Sequence, residues 1–182
     1  MKTLLVKASI VALFCSSFAF AEDTENNDNK PDRVQIEWQN PKDYSDVRPA
    51  NQSAVHFREH TFEEIDKLLE KLMKKQPEGQ TLKMTVTDLD LAGRVWPGHF
   101  VGMDTPSDVR MVKRIDFPSM DFSYQLLDAN GKVIQEGTEE IKDMSFQDRS
   151  SRRFQNDTLH YEKVMIQDWF NKAFLKDKSE DE

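Results

Sequence analysis

The stretch Met120 to Gly137 is what most limits the folds open to this chain. Met120, Phe122, Tyr124 and Leu126 fall two residues apart with polar residues between them, and Asp128-Ala129-Asn130-Gly131-Lys132 follows. A side-chain period of two is the mark of a half-buried strand. An Asn-Gly pair tolerates the positive φ that a tight hairpin turn demands. The spacing predicts a strand over Asp121–Leu127, a turn at Asn130-Gly131 and a returning strand over Lys132–Gly137. Such a hairpin is marginal alone and needs a partner for its apolar face.

Two amphipathic segments offer that cover. Phe62, Ile65, Leu68, Leu69 and Leu72 form one helical stripe, ended by Pro77 and Gly79. Its start is either a capping box at Thr61 to Glu64 or an earlier point near Ser53. A second helix runs from an Asp157 cap to about Phe174, with Leu159, Ile166, Trp169, Phe170 and Ala173 on its apolar side. Val34, Ile36 and Trp38 alternate with Arg33, Gln35 and Glu37, which predicts a strand. Further strands are expected over Thr81–Leu91 and Val109–Ile115. The order is strand-helix-strand-strand-hairpin-helix. It predicts an α+β fold with two helices packed on one face of a mostly antiparallel four- to five-stranded sheet.

Composition removes several functional classes. The 182 residues carry a formal net charge of -8, the wrong sign for coating nucleic acid, so no nucleic-acid partner is expected. With 12 Phe, 3 Trp and 3 Tyr the chain has material for a core despite 32% charged residues. A single Cys excludes an internal disulfide framework and a thiolate zinc cluster.

Met1 to Ala21 reads as a signal peptide: Lys2 and Lys7, then an apolar run from Ala8 to Phe20, then Ala19-Phe20-Ala21 for cleavage. Phe14 before Cys15 argues against lipidation. Cleavage after Ala21 removes Lys2, Lys7 and no acid, taking the charge from -8 to -10, and it removes Cys15. A cysteine-free mature chain suits an oxidising compartment. The expectation is a periplasmic or secreted acidic protein with no stable membrane insertion after cleavage. Residues 22–32 are expected to be a disordered linker, 33–175 a single domain, and 176–182 a charged disordered tail.

Several stretches carry a family resemblance. They are Thr87-Asp88-Leu89-Asp90-Leu91-Ala92-Gly93, then Pro97, Asp108-Val109-Arg110, Phe117-Pro118, Asn130-Gly131 and Lys142-Asp143-Met144, and last Leu159-His160-Tyr161-Glu162-Lys163 with Asp168-Trp169-Phe170. Over roughly Val34 to Phe174 this succession resembles a bacterial family of exported proteins catalogued as domain of unknown function 3016. The resemblance implies a shared exported fold. It implies no activity and supplies no catalytic residues.

The strand from Thr81 breaks its own pattern. Leu82, Met84 and Val86 share a face, and a strict period of two would put Asp88 and Asp90 on that same face. Either a β-bulge near Thr87 flips the register and leaves the acids in solvent, or two carboxylates face inward and need an Arg, a metal or a proton. Glu162 lies within the apolar stripe of its helix, three residues after Leu159 and four before Ile166. Arg110, between Val109 and Met111, is its natural partner, as a fold-fixing ion pair or as part of a cleft lined by Asp88, Asp90, Arg110, Asp143 and Glu162. An oxygen-rich cleft of that kind favours Ca²⁺ or Mg²⁺. His56-Phe57-Arg58-Glu59-His60 matches the H-x-x-E-H zinc-protease pattern, with His56 and His60 as ligands and Glu59 as base.

Arg94 to Ser107 reads as a mobile Gly/Pro-rich connection carrying Trp96, His99, Phe100 and Met103, which either tuck into the core or form a binding lip. Arg149-Ser150-Ser151-Arg152-Arg153 reads as a solvated basic loop. These residues point to a non-catalytic binding or envelope-assembly module without a cofactor, its partner unknown but expected in the envelope. The alternative is a metal-dependent hydrolase holding a divalent metal at the His56 segment or at the acidic cleft.

Overall fold

In the computed structural model the described residues are 32–44, 46–104, 108–148 and 153–175. The expected signal peptide, nearly all of the expected linker, the expected charged tail and residues 149–152 of the arginine cluster lie outside them. The chain runs β1 (Val34–Trp38), α1 (Ala54–Met73), β2 (Thr81–Asp90), β3 (Arg94–Pro97), a 3-10 turn (Gly98–Val101), β4 (Asp108–Met111), β5 (Ser119–Leu127), β6 (Val133–Lys142) and α2 (His160–Phe174). A four-stranded sheet has the order β1-β2-β5-β6, and β3 and β4 pair separately. β1 runs parallel to β2, while β2–β5 and β5–β6 are antiparallel. This is the expected α+β architecture.

The parallel pair follows from α1, a 20-residue crossover that returns the chain to the same end of the sheet. The helix begins at Ala54, with Ser53 before it. The capping-box start at Thr61 is therefore not used. Thr61 is buried inside the helix, and its hydroxyl donates to the Phe57 carbonyl at 2.8 Å. Ile65, Leu68, Leu69, Leu72 and Met73 face Leu82, Met84, Val86, Phe122, Tyr124 and Leu126 from the sheet, with Ile166, Trp169, Phe170 and Phe174 from α2. Trp169 stands edge-on to Phe122 and Tyr124, with ring centroids 4.6 and 5.4 Å away. Each fully buried apolar side chain in this core contributes about 1.5–3 kcal/mol relative to exposure.

Three strand expectations need correction. Arg94–Pro97 is a strand, not loop: it pairs with β4 from Arg94↔Met111 to Pro97↔Asp108. Four residues ending in proline are too few to show a period. β4 ends at Met111, earlier than Ile115. β6 continues past Gly137 to Lys142. Its second half is an edge strand whose acidic side chains hide the alternation.

The register of β2 shifts between Val86 and Asp88, so a bulge at Thr87 is present. Leu82, Met84 and Val86 are buried before it, and Leu89 and Leu91 after it. One extra residue moves Asp88 and Asp90 off the apolar face. The Val86 carbonyl beside the bulge accepts from Gln39 N–H (2.9 Å) and from the Tyr44 hydroxyl (2.8 Å). Burial pushes the Tyr44 phenol up to about 12, with the charge of Asp88 adding to the effect.

Candidate binding site: the β3–β4 hairpin and its root

The β3–β4 hairpin has two unlike faces, and the strand period makes them so. Pairing puts Arg94, Trp96, Val109 and Met111 on one side, and Val95, Pro97, Asp108 and Arg110 on the other. The second side grips the body of the protein. Asp108 Oδ2 accepts from the Ala50 and Asn51 N–H groups at 3.0 Å each. Arg110 donates through Nε to the Ala92 carbonyl at 2.6 Å, through Nη1 to the Thr158 carbonyl, and through Nη2 to Glu162 Oε1.

Glu162 is fully buried, and the same Oε1 accepts the Ala92 N–H at 2.7 Å. Both backbone groups of Ala92 are thus held by one ion pair. Next to it Gly93 sits at φ +74°, and its N–H donates to the Asp116 carbonyl at 3.0 Å. A Cβ there would lie 2.3 Å from the Met111 carbonyl oxygen. The two most distinctive stretches of the sequence, TDLDLAG and LHYEK, therefore meet at Ala92 and Glu162. Lys163, the next residue in α2, is also buried and bridges Asp157 (2.5 Å) and Glu64 (2.8 Å), joining the two helices. Burial pulls its pKa down, but the bonds to Asp157 and Glu64 outweigh that and leave it raised. Sequence reasoning missed this bridge. Its one visible signal was a lysine abutting the apolar run Val164–Ile166.

The first side of the hairpin faces outward. Trp96 is 42% exposed and Met111 40%, and at the tip Phe100 is 72% and Met103 52% exposed. His99 is exposed beside Phe100, with ring centroids 4.9 Å apart. These residues do not tuck into the core.

At the hairpin root Asp90 is half-buried. Burial, together with Asp46, Asp88 and Asp116, pushes its carboxyl up to about 6. Arg94 Nε lies 3.7 Å from Asp46 Oδ2. The five residues expected to line one cleft fall in three places. Arg110 and Glu162 form the clamp, and Asp88 and Asp90 sit at the strand end. The third is Asp143, buried beyond β6 along a groove between that strand and α2, where its Oδ1 accepts the Ser145 N–H at 3.1 Å. His56, Glu59 and His60 are inside α1 rather than in a loop, and all three are exposed. Among the described residues no three His, Cys, Asp or Glu side chains are grouped to hold a metal ion.

A model of a protein family of unknown function, DUF3016, matches residues 32–172. The chain belongs to the DUF3016 family. The match spans the sheet, both helices up to Lys172 and the whole clamp, so the resemblance read from the motifs holds. No curated protein and no solved structure matches the chain. Among the described residues no helix is long and apolar enough to cross a membrane. In this DUF3016 chain Arg110 bonds Glu162 and the Ala92 and Thr158 carbonyls, while Glu162 Oε1 accepts the Ala92 N–H and its buried Oε2 has no hydrogen-bond partner among the described residues.

Proposed function

We propose that this DUF3016 protein is an exported, non-catalytic binding module that holds a partner in the cell envelope through the outward side of its β3–β4 hairpin. The observation that carries the reading is the exposure of Trp96, Phe100, Met103 and Met111 on one small hairpin. Single exposed apolar residues are ordinary, but several gathered on one element mark an interaction surface. The anchoring supports the same reading. Asp108 and Arg110 fix the inner side, so the apolar side is presented on a held scaffold rather than a floppy loop. Export rests on the sequence of Met1 to Ala21. The metal-dependent hydrolase alternative gains no support from the exposed His56, Glu59 and His60 or from the dispersed acids.

The test is photo-crosslinking in cells that express the full chain, with benzoylphenylalanine at position 100 and, as control, at Lys74 beyond α1. A discrete adduct from position 100, weakened by Trp96→Ser and absent from position 74, is the expected result. No adduct, or the same adducts from both positions, refutes the hairpin as the contact surface. Osmotic-shock fractionation of the same cells tests export, and retention with cytoplasmic markers refutes it.

A further inference from the structure

The far edge of the sheet presents a second surface, distinct from the hairpin. β6 is ten residues long, pairs with β5 on one side, and has no strand on the other among the described residues. The hydrogen-bond pattern shows which of its groups are free. Leu82 N–H donates to the Arg33 carbonyl and the Val86 carbonyl accepts from Gln39, so even-numbered β2 residues bond toward β1. Lys83 and Thr85 then bond toward Gln125 and Ser123 of β5. The even-numbered β5 residues are left to bond Gln135, Gly137, Glu139 and Ile141, consistent with Asp143 N–H donating to the Pro118 carbonyl at 3.2 Å. The backbone N–H and C=O groups of Glu136, Thr138, Glu140 and Lys142 therefore point outward, away from the sheet. Such an edge is a template for another strand.

Two features give that strand a chemistry. On the helix side, a groove of about 660 Å³ runs between β6 and α2, with Ile141, Met165, Trp169 and Ala173 among its lining. Side chains of an added strand that point this way would meet these apolar residues flanked by the charged Glu139, Asp168 and Lys172. On the open side, Asp88, Asp121 and Glu140 stand in register across three strands, and the row ends at the free edge. Burial and the charges of Glu140 and Asp88 hold the Asp121 carboxyl above its usual range, with Lys142 the one opposing lysine. Glu140 bonds Lys142, but three carboxylates in the row face that one lysine, and like charges directly opposed across strands are unfavourable, so the next position suits a further cation.

The geometry points to β6 as a docking edge for an extended segment of a partner polypeptide that alternates basic with apolar residues. Its basic side chains lie beside Glu140 and Glu136, and its apolar ones rest on Ile141, Trp169 and Ala173 within the charged-rimmed groove against α2. A second copy of this chain fits less well. Two-fold pairing of β6 centred on Glu139 sets that residue against itself, centring on Thr138 sets Glu136 against Glu140, and centring on Gly137 sets Lys132 against Lys142.

Hydrogen exchange of the purified protein, resolved by NMR, tests the assignment with an acetylated peptide of about nine residues alternating Lys and Val, and its Glu-for-Lys counterpart. The expected result is roughly tenfold or slower exchange at the amides of Glu136, Thr138, Glu140 and Lys142 with the Lys peptide alone. Thr138→Pro removes an outward donor without touching a β5 bond, and Glu140→Lys reverses the charge; each abolishes the effect while thermal melts confirm folding. Unchanged exchange at saturating peptide overturns the proposal. So does equal protection by the Glu peptide, or protection that survives both substitutions. Protection without peptide in a sample that sediments as a dimer overturns it in favour of a second copy.

Discussion

Replacing Arg110 with methionine would strand the fully buried Glu162 without its cation. Breaking one side of a buried ion pair costs about 3–5 kcal/mol, because the remaining charge has lost its compensation but not its burial. Two details adjust that range. The Arg110 side chain is 19% exposed, so water already screens part of the pair and the lower end applies. The Ala92 carbonyl also loses its 2.6 Å bond, adding about 1 kcal/mol. The Thr158 carbonyl belongs to an exposed residue and can hydrate instead. A loss of about 3–4 kcal/mol is expected, a large part of the 5–15 kcal/mol typical of whole domains. Urea unfolding followed by tryptophan fluorescence measures it. A second substitution isolates the cause. Glu162→Gln in the Arg110→Met background removes the stranded charge while its carbonyl still accepts the Ala92 N–H, and it should recover about 1–2 kcal/mol. A loss below about 1 kcal/mol for Arg110→Met, or no recovery in the double variant, refutes the account of this pair as the lock on the hairpin.

Gly93→Ala forces a Cβ to 2.3 Å from the Met111 carbonyl at a φ of +74°, so it should cost more than about 1 kcal/mol, read as a lowered urea midpoint. An unchanged midpoint would show that the Ala92–Gly93 corner relaxes freely. Asp90 has a folded-state pKa of about 6, above its unfolded value, so its ionisation opposes folding. The stability it leaves in place is full at low pH and is lost as pH rises through about 6. Asp90→Asn should therefore stabilise the protein at pH 7 by about 1 kcal/mol, after allowing for solvent screening. The gain should vanish as pH falls toward 4, and thermal melts across that range would contradict the reasoning if the gain persisted there.

Much of the architecture was legible because packing and pattern agree. The alternation around Phe122 and Tyr124 and the stripes of both helices exist to fill one core, so burial wrote them into the sequence. Glu162 was legible for the opposite reason: an acid on an apolar stripe demands a partner, and Arg110 was the cation at hand. The bulge at Thr87 could only be posed as one of two alternatives. The pattern shows that the phase changes, not whether the backbone or the side chains absorb the change. The short strand Arg94–Pro97 was hidden because it buries little and owes its shape to β4. The second half of β6 was hidden because a free edge carries charges where a central strand carries apolar residues. Nothing in linear order reveals that the end of β6, with Asp143, lies along α2.

The clamp also bears on when the molecule can become whole. Ala92 and Glu162 are 70 residues apart, so closing their contact encloses the entire β3–β6 segment. The β5–β6 hairpin forms through near neighbours, but the β3–β4 hairpin, tied by Asp108 to Ala50 and Asn51, gains the Arg110–Glu162 lock only when α2 has arrived. During synthesis its exposed tryptophan, phenylalanine and methionines precede Glu162, which locks Arg110 at the hairpin's root. A chain interrupted before α2 would present the same apolar surface on a looser root, so the hairpin reaches its full rigidity only in the finished fold.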